Sequence, residues 1–288
     1  MPTPNVSFEF FPPKSLEASF RLWDTVQSLA PLSPRFVSVT YGAGGTTRKL
    51  TREAVETLHN FSGLKIAAHL TCVGASKAET LGIAKGFARS GVKDIVALRG
   101  DPPQGTGGFE PHGDGFADSC ELISALRKTH DFNICVGAYP ETHPEAKNAQ
   151  ADIAWLKRKF EAGASEAITQ FFFEPESFLR FRDACAKAGI NAPITPGILP
   201  IENWNGMRRF AARCGARVPS WLEQAFEKAT RDGREDLLAI AVATELCSKL
   251  IDEGVEDLHF YTLNRPDLTR DICHALGVVS TKSLQNVA

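Results

Sequence analysis

The sequence predicts a single (β/α)8 barrel, an α/β TIM-type fold, over residues 1–288. Two observations predict the alternation: eight short β-rich runs punctuate the chain, and helical periodicity fills the gaps between them. A third, the gathering of polar side chains at one end of the runs, favours closure into a barrel over an open sheet. The runs are VSFEFF (6–11), FVSVTY (36–41), KIAAHL (65–70), DIVALR (94–99), NICVGAY (133–139), EAITQFFF (166–173), PITPGIL (193–199) and DLHFYTL (257–263). Between them, LTREAVETLHNF places Leu50, Ala54, Val55, Leu58 and Phe61 at three- and four-residue spacing, the stripe of an amphipathic helix. DIAWLKRKFEAGA repeats the pattern and meets Gly163, a natural helix stop. The last gap is about twice as long as the others and carries two helical patterns, Ser220–Thr230 and Glu235–Ile251. Eight such units in under 300 residues are what a (β/α)8 barrel requires, and an open doubly wound sheet is the alternative that the alternation alone leaves.

The placement of the polar residues separates the two folds. Glu9, Thr40, His69, Arg99 with Asp101, Tyr139 with His143, and Gln170 lie near the C-terminal ends of their runs, and Arg265 follows the eighth. In a barrel those ends converge on one face, where the loops build a site. In an open sheet they would spread along an edge. Each residue also has an ordinary explanation: a hydrogen-bonded core histidine for His69, a local pair for Arg99 and Asp101, a satisfied backbone group for Gln170. Glu9 has the least ordinary one. It stands among phenylalanines, with no basic residue before Lys14, and burying an unpaired carboxylate costs several kcal/mol or makes it keep its proton.

Composition narrows the classes of function. With 32 basic and 34 acidic residues the net charge is −2, which offers no electrostatic footprint for nucleic acid and no polybasic membrane anchor. The N-terminus MPTPNVSFEF lacks the basic and apolar regions of a signal peptide, and no apolar run approaches membrane-spanning length. Seven scattered cysteines without a C-x-x-C pair read as reduced thiols of a cytoplasmic protein, where the Asn5-Val6-Ser7 triplet carries no meaning. No phosphate-binding G-x-x-x-x-G-K-[ST] loop occurs, and GAGGTTR (42–48) lacks the downstream acid of a dinucleotide fold. It reads instead as a loop of amide donors after the second strand. Dispersed histidines without H-x-H or H-E-x-x-H give no metal site, and the later runs contain no Schiff-base lysine. Asp152, Arg158 and Lys159 fall near one helix face, suited to a ribose and pyrophosphate or to an ordinary solvated ion-pair surface.

Taken in order, FEFFPPK (8–14), VSVTYGAGG (37–45), HLTC (69–72), ALRGDPP (97–103), AYPETHPEA (138–146), AITQFFFE (167–174), PGILPI (196–201) and HFYTLNR (259–265) closely resemble the signatures of the methylenetetrahydrofolate reductase family. The match covers nearly the whole chain and resembles the short bacterial type, a catalytic barrel without an appended regulatory domain. The resemblance implies a barrel that binds FAD, takes a hydride from NADH or NADPH, and reduces 5,10-methylenetetrahydrofolate to 5-methyltetrahydrofolate in alternating half-reactions. By matching motif, Glu9 is the general acid, and Asp101 tunes charge near flavin and pterin. Gln170, Phe210, Leu263 and Arg265 join Glu9 and Asp101 as substrate contacts. Thr40, Tyr41, His69, Arg99, Gly100, Asp101, Ala138, Tyr139, His143, Asp152, Arg158 and Lys159 match flavin contacts.

Two positions depart from the family pattern: Trp155 replaces an asparagine facing the cofactor, and Phe116 stands near a tyrosine that packs on flavin. Family analogy favours a homo-oligomer. Two rivals remain at this stage: another flavin-dependent barrel oxidoreductase, such as one acting on proline, and a cofactor-free folate-binding or methyltransferase barrel.

Overall fold

In the computed structural model, which describes residues 2–42, 48–101 and 108–280, nine parallel strands form one nearly closed ring with helices outside. The strands are β1 (Asn5–Phe10), β2 (Val37–Val39), β3 (Ile66–Thr71), β4 (Asp94–Leu98), β5 (Asn133–Ala138), β6 (Glu166–Thr169), β7 (Ile194–Thr195), β8 (Gly197–Ile198) and β9 (Asp257–Tyr261). β1 pairs with β2 on one side and β9 on the other, so the first and last strands are neighbours. That pairing excludes the open doubly wound sheet.

The ninth strand arises from a break rather than an extra run. PITPGIL contains Pro196, which has no N–H to give to a ladder. On one side of it β7 pairs with β6, and on the other β8 pairs with β9. Pro196 O still accepts from His259 N at 3.0 Å. The seventh stave of the barrel is therefore one bent run that hands its pairing from one neighbour to the next.

The helices are α1 (Leu16–Leu29), α2 (Arg48–Phe61), α3 (Lys77–Arg89), α4 (Ser119–Thr129), α5 (Ala149–Glu161), α6 (Pro175–Lys187), α7 (Trp204–Cys214), α8 (Ser220–Asp232), α9 (Glu235–Asp252) and α10 (Pro266–Ala275), with a 3-10 turn at Ala30–Leu32. The long final gap thus carries three helices, not the two its periodicity predicts. Side-chain caps start several of them: Ser15 accepts from Ala18 N, Asn148 from Ala151 N, and Ser76 exchanges hydrogen bonds with Glu79 in a capping box. Each is worth about 1 kcal/mol. After α5, Gly163 takes φ +118°, and a Cβ there would lie 2.6 Å from Arg127 Cγ.

Alternation along the strands sorts two cores. Val6, Phe8 and Phe10 face outward into the main layer between sheet and helices. Phe36, Ala67, Val96, Cys135 and Ile168 form a separate small cluster inside the ring, with Leu98 and Tyr261 packed against it. Glu9 lies between outward-facing Phe8 and Phe10, so it points into the ring. Among the described residues, no helix is long and apolar enough to cross a membrane.

Candidate active site

The apolar run that carries Glu9 makes its burial unavoidable: β1 is a central stave, and pleating turns every second residue inward. The Glu9 side chain is 16% exposed, and its Oε2 stands 3.4 Å from Nε2 of His69 on β3. Burial pushes the Glu9 carboxyl up to about 8 and the His69 imidazole down to about 3. At neutral pH both are therefore uncharged, a protonated acid beside a neutral base. In register, Glu9 lies between Ser38 on β2 and Tyr261 on β9.

The backbone behind Glu9 is pinned from the far end of the chain. Thr262 Oγ1 donates to Glu9 O at 2.7 Å. Asn264 receives Phe11 N on its Oδ1 at 2.8 Å and returns its Nδ2 to Phe11 O at 2.9 Å. To do so the chain takes positive φ at both Leu263 (51°) and Asn264 (55°), a conformation that asparagine tolerates better than leucine. Tyr261 donates to Thr169 O at 2.6 Å, and a Cβ on Gly197 would lie 2.1 Å from that same oxygen. Only glycine fits there. The backbone-bridging roles of Thr262, Asn264, Tyr261 and Gly197 appear only once β9 lies against β1 and β8.

On the β4–β5 side, Asp101 is exposed at the end of β4, and its negative charge bears on Arg99 and Tyr139. The Arg99 guanidinium pairs with Glu145 through both of its terminal nitrogens and lies over the Phe109 ring at 5.0 Å. Gly100 takes φ +87°, with the space of a Cβ already filled by Val73 and Thr71. Ala138 is buried at the end of β5. The Tyr139 ring meets His143 edge-on at 4.5 Å. Burial raises the Tyr139 phenol and lowers the His143 imidazole.

Asp152, Arg158 and Lys159 of α5 divide. Asp152 accepts His143 N at 2.8 Å, and Lys159 donates to Gly137 O at 2.7 Å, so both turn toward β5 and its loop. Burial lowers the Lys159 ammonium, with Asp152 opposing the effect. Arg158 is exposed and lies 4.5 Å over the ring of Trp155, the residue that departs from the family pattern. Phe116, the other departure, is buried in the main core with Lys77 above its ring. Thr40 holds its place through Thr40 N to Phe10 O at 2.9 Å; burial raises the neighbouring Tyr41 phenol to about 12, with Arg48 opposing.

On the β6 side, Gln170 receives Phe171 N on its Oε1 at 3.0 Å and lines a cleft with Tyr139, Thr142, Phe171 and Cys214. Phe210 on α7 packs against Phe171 with ring centroids 5.2 Å apart, which brings α7 over the end of β6. Arg265 caps α10 and pairs with Glu202 at 3.1 Å, while Leu263 is half-buried. Ala43–Gly45 of VSVTYGAGG and Pro102–Pro103 of ALRGDPP lie outside the described residues.

The donor set is thus asymmetric. Cations (Arg99, Arg158, Lys159) and the Tyr139–His143 pair gather toward β4, β5 and α5. The neutral acid sits in the ring opening toward β1, and an aromatic pair flanks β6. Such a face can hold an extended anionic ligand along one rim while offering a proton at its centre.

The chain matches the family model described as "Methylenetetrahydrofolate reductase" over residues 2–277. It is 46% identical over 275 residues to the 5,10-methylenetetrahydrofolate reductases of Salmonella typhimurium and Escherichia coli, covering 95% of this chain and 91% of each of theirs. An Arabidopsis thaliana protein named "Methylenetetrahydrofolate reductase (NADH) 1" is 35% identical, with 96% of this chain matching 49% of that one. Among solved structures, a Clostridium thermocellum protein described as binding two copies of 5-methyl-5,6,7,8-tetrahydrofolic acid superposes with a TM-score of 0.61 at 13% identity, covering 96% of this chain and 95% of that one, a likeness of fold. The family match over residues 2–277 and the identity over 95% of the chain agree: this chain belongs to the methylenetetrahydrofolate reductase family.

Proposed function

We propose that this protein reduces 5,10-methylenetetrahydrofolate to 5-methyltetrahydrofolate, the reaction for which its relatives are named, with FAD as bound cofactor and NADH or NADPH as reductant. The observation that carries the mechanism is Glu9, a carboxyl whose buried place in the ring keeps it protonated to about pH 8.

The substrate's five-membered ring must open before its one-carbon unit can accept a hydride, and the departing N10 needs a proton. Glu9 supplies it. General acid assistance of this kind contributes about 10² to 10⁴ in rate. A carboxyl of ordinary acidity would be ionised at neutral pH and have nothing to give; burial inside the ring keeps this one loaded. Gln170 hydrogen-bonds the pterin and fixes it relative to Glu9, while Phe210 offers a face on which folate or nicotinamide stacks in turn. Arg265 and Leu263 border the substrate on the β9 side.

The residues fit FAD. A diphosphate wants cations: Lys159 and Arg99 supply them beside β5 and β4, and Arg158 adds its charge from the exposed side of α5. Buried Thr71 Oγ1 at the end of β3 and Arg48 Nε at the start of α2, neither with a hydrogen-bond partner among the described residues, add polar atoms. Thr40, Tyr41, His69, Gly100, Ala138, Tyr139, His143 and Asp152 complete the cradle. When bound, FAD supplies two-electron transfer between the nicotinamide and the folate. Asp101, a carboxylate at the mouth, disfavours added negative charge nearby and favours a positively charged folate.

Purification and one assay test this function. The expected protein is yellow, is bleached anaerobically by NADH or NADPH, and regains its colour on addition of methylenetetrahydrofolate. A colourless protein that FAD cannot reconstitute would instead support a cofactor-free folate-binding barrel.

A further inference from the structure

Four buried polar atoms without a hydrogen-bond partner among the described residues lie on three strands next to or near Glu9: His259 Nε2 on β9, Ser38 Oγ on β2, and His69 Nε2 and Thr71 Oγ1 on β3. Their residues are at most 6% exposed. Leaving such an atom unpaired inside a protein costs about 1–3 kcal/mol. His69 and Ser38 flank one carboxyl, Glu9, and His259 lies one inward-facing pair below it on β9, so one cause can account for the three together.

The geometry singles out Glu9. Ser38 is its register partner on β2, and His69 Nε2 is 3.4 Å from its Oε2. His259 lies one pleat below Tyr261, paired in register with Ser7, and its Nδ1 is 2.8 Å from Ser7 Oγ. Whichever of those two atoms holds the shared proton, Nε2 of His259 is left facing the ring interior. Ala67, the register partner of Ser38 on β3, has no polar side-chain atom to pair with it. Val96 on β4 and Ile168 on β6 are apolar and offer no competing partner, while Phe36, just before β2, stacks on the His259 ring at 5.8 Å.

We propose that His69, Ser38 and His259 are positioning residues for Glu9: His69 directly, and Ser38 and His259 through bound water, they solvate the carboxylate left after proton transfer. This rests on the assignment of Glu9 as proton donor. In the step the Glu9 O–H bond breaks, the proton passes to N10, the negative charge stays on the Glu9 oxygens, and nothing is oxidised or reduced at Glu9. A bridging water needs two to four polar partners, which Glu9, Ser38 and the imidazoles provide. Hydrogen bonds to the ionised form oppose burial, so the acid holds its proton yet can release it. The titratable groups facing Glu9 are His69 from β3 and Tyr261 and His259 from β9. The Tyr261 hydroxyl is committed to Thr169 O, and burial keeps both imidazoles neutral.

The test uses the FAD-loaded Ser38→Ala, His259→Leu and His259→Gln variants. The protonated Glu9 carbonyl is titrated by infrared difference spectroscopy with labelled glutamate, using Glu9→Gln as blank. Ser38→Ala and His259→Leu are expected to raise the Glu9 midpoint by about one pH unit and to slow reduction of methylenetetrahydrofolate about tenfold at pH 7. Flavin reduction by nicotinamide should stay within about twofold of wild type, since this step asks nothing of Glu9. His259→Gln keeps a polar atom near Nε2 and should restore both properties. If His259→Leu does not fold, Ser38→Ala alone carries the test. A Glu9 midpoint unmoved in the folded variants overturns the inference, even if rates fall. Full folate reduction by Glu9→Gln overturns instead the assignment on which the inference rests.

Discussion

Glu9→Gln should make the protein more stable while removing its folate activity. Glutamine closely copies a protonated glutamic acid in size and polarity, so the folded state loses little. The difference lies in the unfolded chain, where Glu9 ionises near its ordinary value of 4.5, whereas in the fold it holds its proton to about 8. The sign follows from proton binding: between those limits the folded state binds more protons than the unfolded one, so stability falls as pH rises. Below about pH 4.5 the penalty is absent, and above about pH 8 it is complete. Each pH unit in that window is worth about 1.4 kcal/mol, so Glu9 destabilises the fold by about 3 kcal/mol at pH 7, an upper limit. For a chain of this size such a change corresponds to several degrees in Tm. Urea unfolding of wild type and Glu9→Gln at pH 5, 7 and 8.5, at one fixed FAD concentration, measures it. The gain should be small at pH 5 and grow through pH 7 to 8.5. A variant no more stable than wild type at any pH would refute the claim that Glu9 is held protonated by burial.

Three further outcomes are expected. Asp101→Asn should raise the flavin reduction potential, measured by dye equilibration, and slow folate reduction; unchanged values for both would remove Asp101 from the mechanism. Asn264→Ala breaks both hydrogen bonds to Phe11 and should cost about 1–3 kcal/mol in urea unfolding, with a larger loss in folate reduction than in flavin reduction, because β1 carries Glu9. Gly197→Ala places a Cβ 2.1 Å from Thr169 O and against Tyr261, so it should lower Tm by several degrees, consistent with an overpacking cost of about 1–3 kcal/mol. A wild-type Tm would show that β8 shifts without strain.

Much of this molecule is legible in its sequence, for reasons that can be named. The staves show as β-rich runs because a parallel sheet is covered on both faces, and the exceptions to apolarity mark the face where the loops converge. Glu9 was recognisable as misplaced, but its neighbour was not: the sequence-adjacent base is Lys14, whereas the ring brings His69 beside it. The break at Pro196 could be anticipated from the missing N–H, yet the transfer of pairing from β6 to β9 depends on closure. Helix α7 carries a stripe of its own, with Trp204, Met207, Phe210, Ala211 and Cys214 at three- and four-residue spacing, but Gly206 in its first turn blurs where it starts. The pairing of Asp152 and Lys159 on one face follows from helical spacing. The turn of Arg158 onto Trp155 does not, since it depends on how α5 rolls against β5. Ser38, His259, Tyr261 and Asn264 look like ordinary strand and loop residues until the strands on either side of β1 are in place.

The most direct test of the central claim is anaerobic stopped-flow of the two half-reactions in wild type and Glu9→Gln. The account predicts that nicotinamide bleaches the flavin of both proteins at similar rates, while methylenetetrahydrofolate reoxidises only the wild type, with the variant slower by at least about 10². Equal reoxidation rates in the two proteins would contradict it.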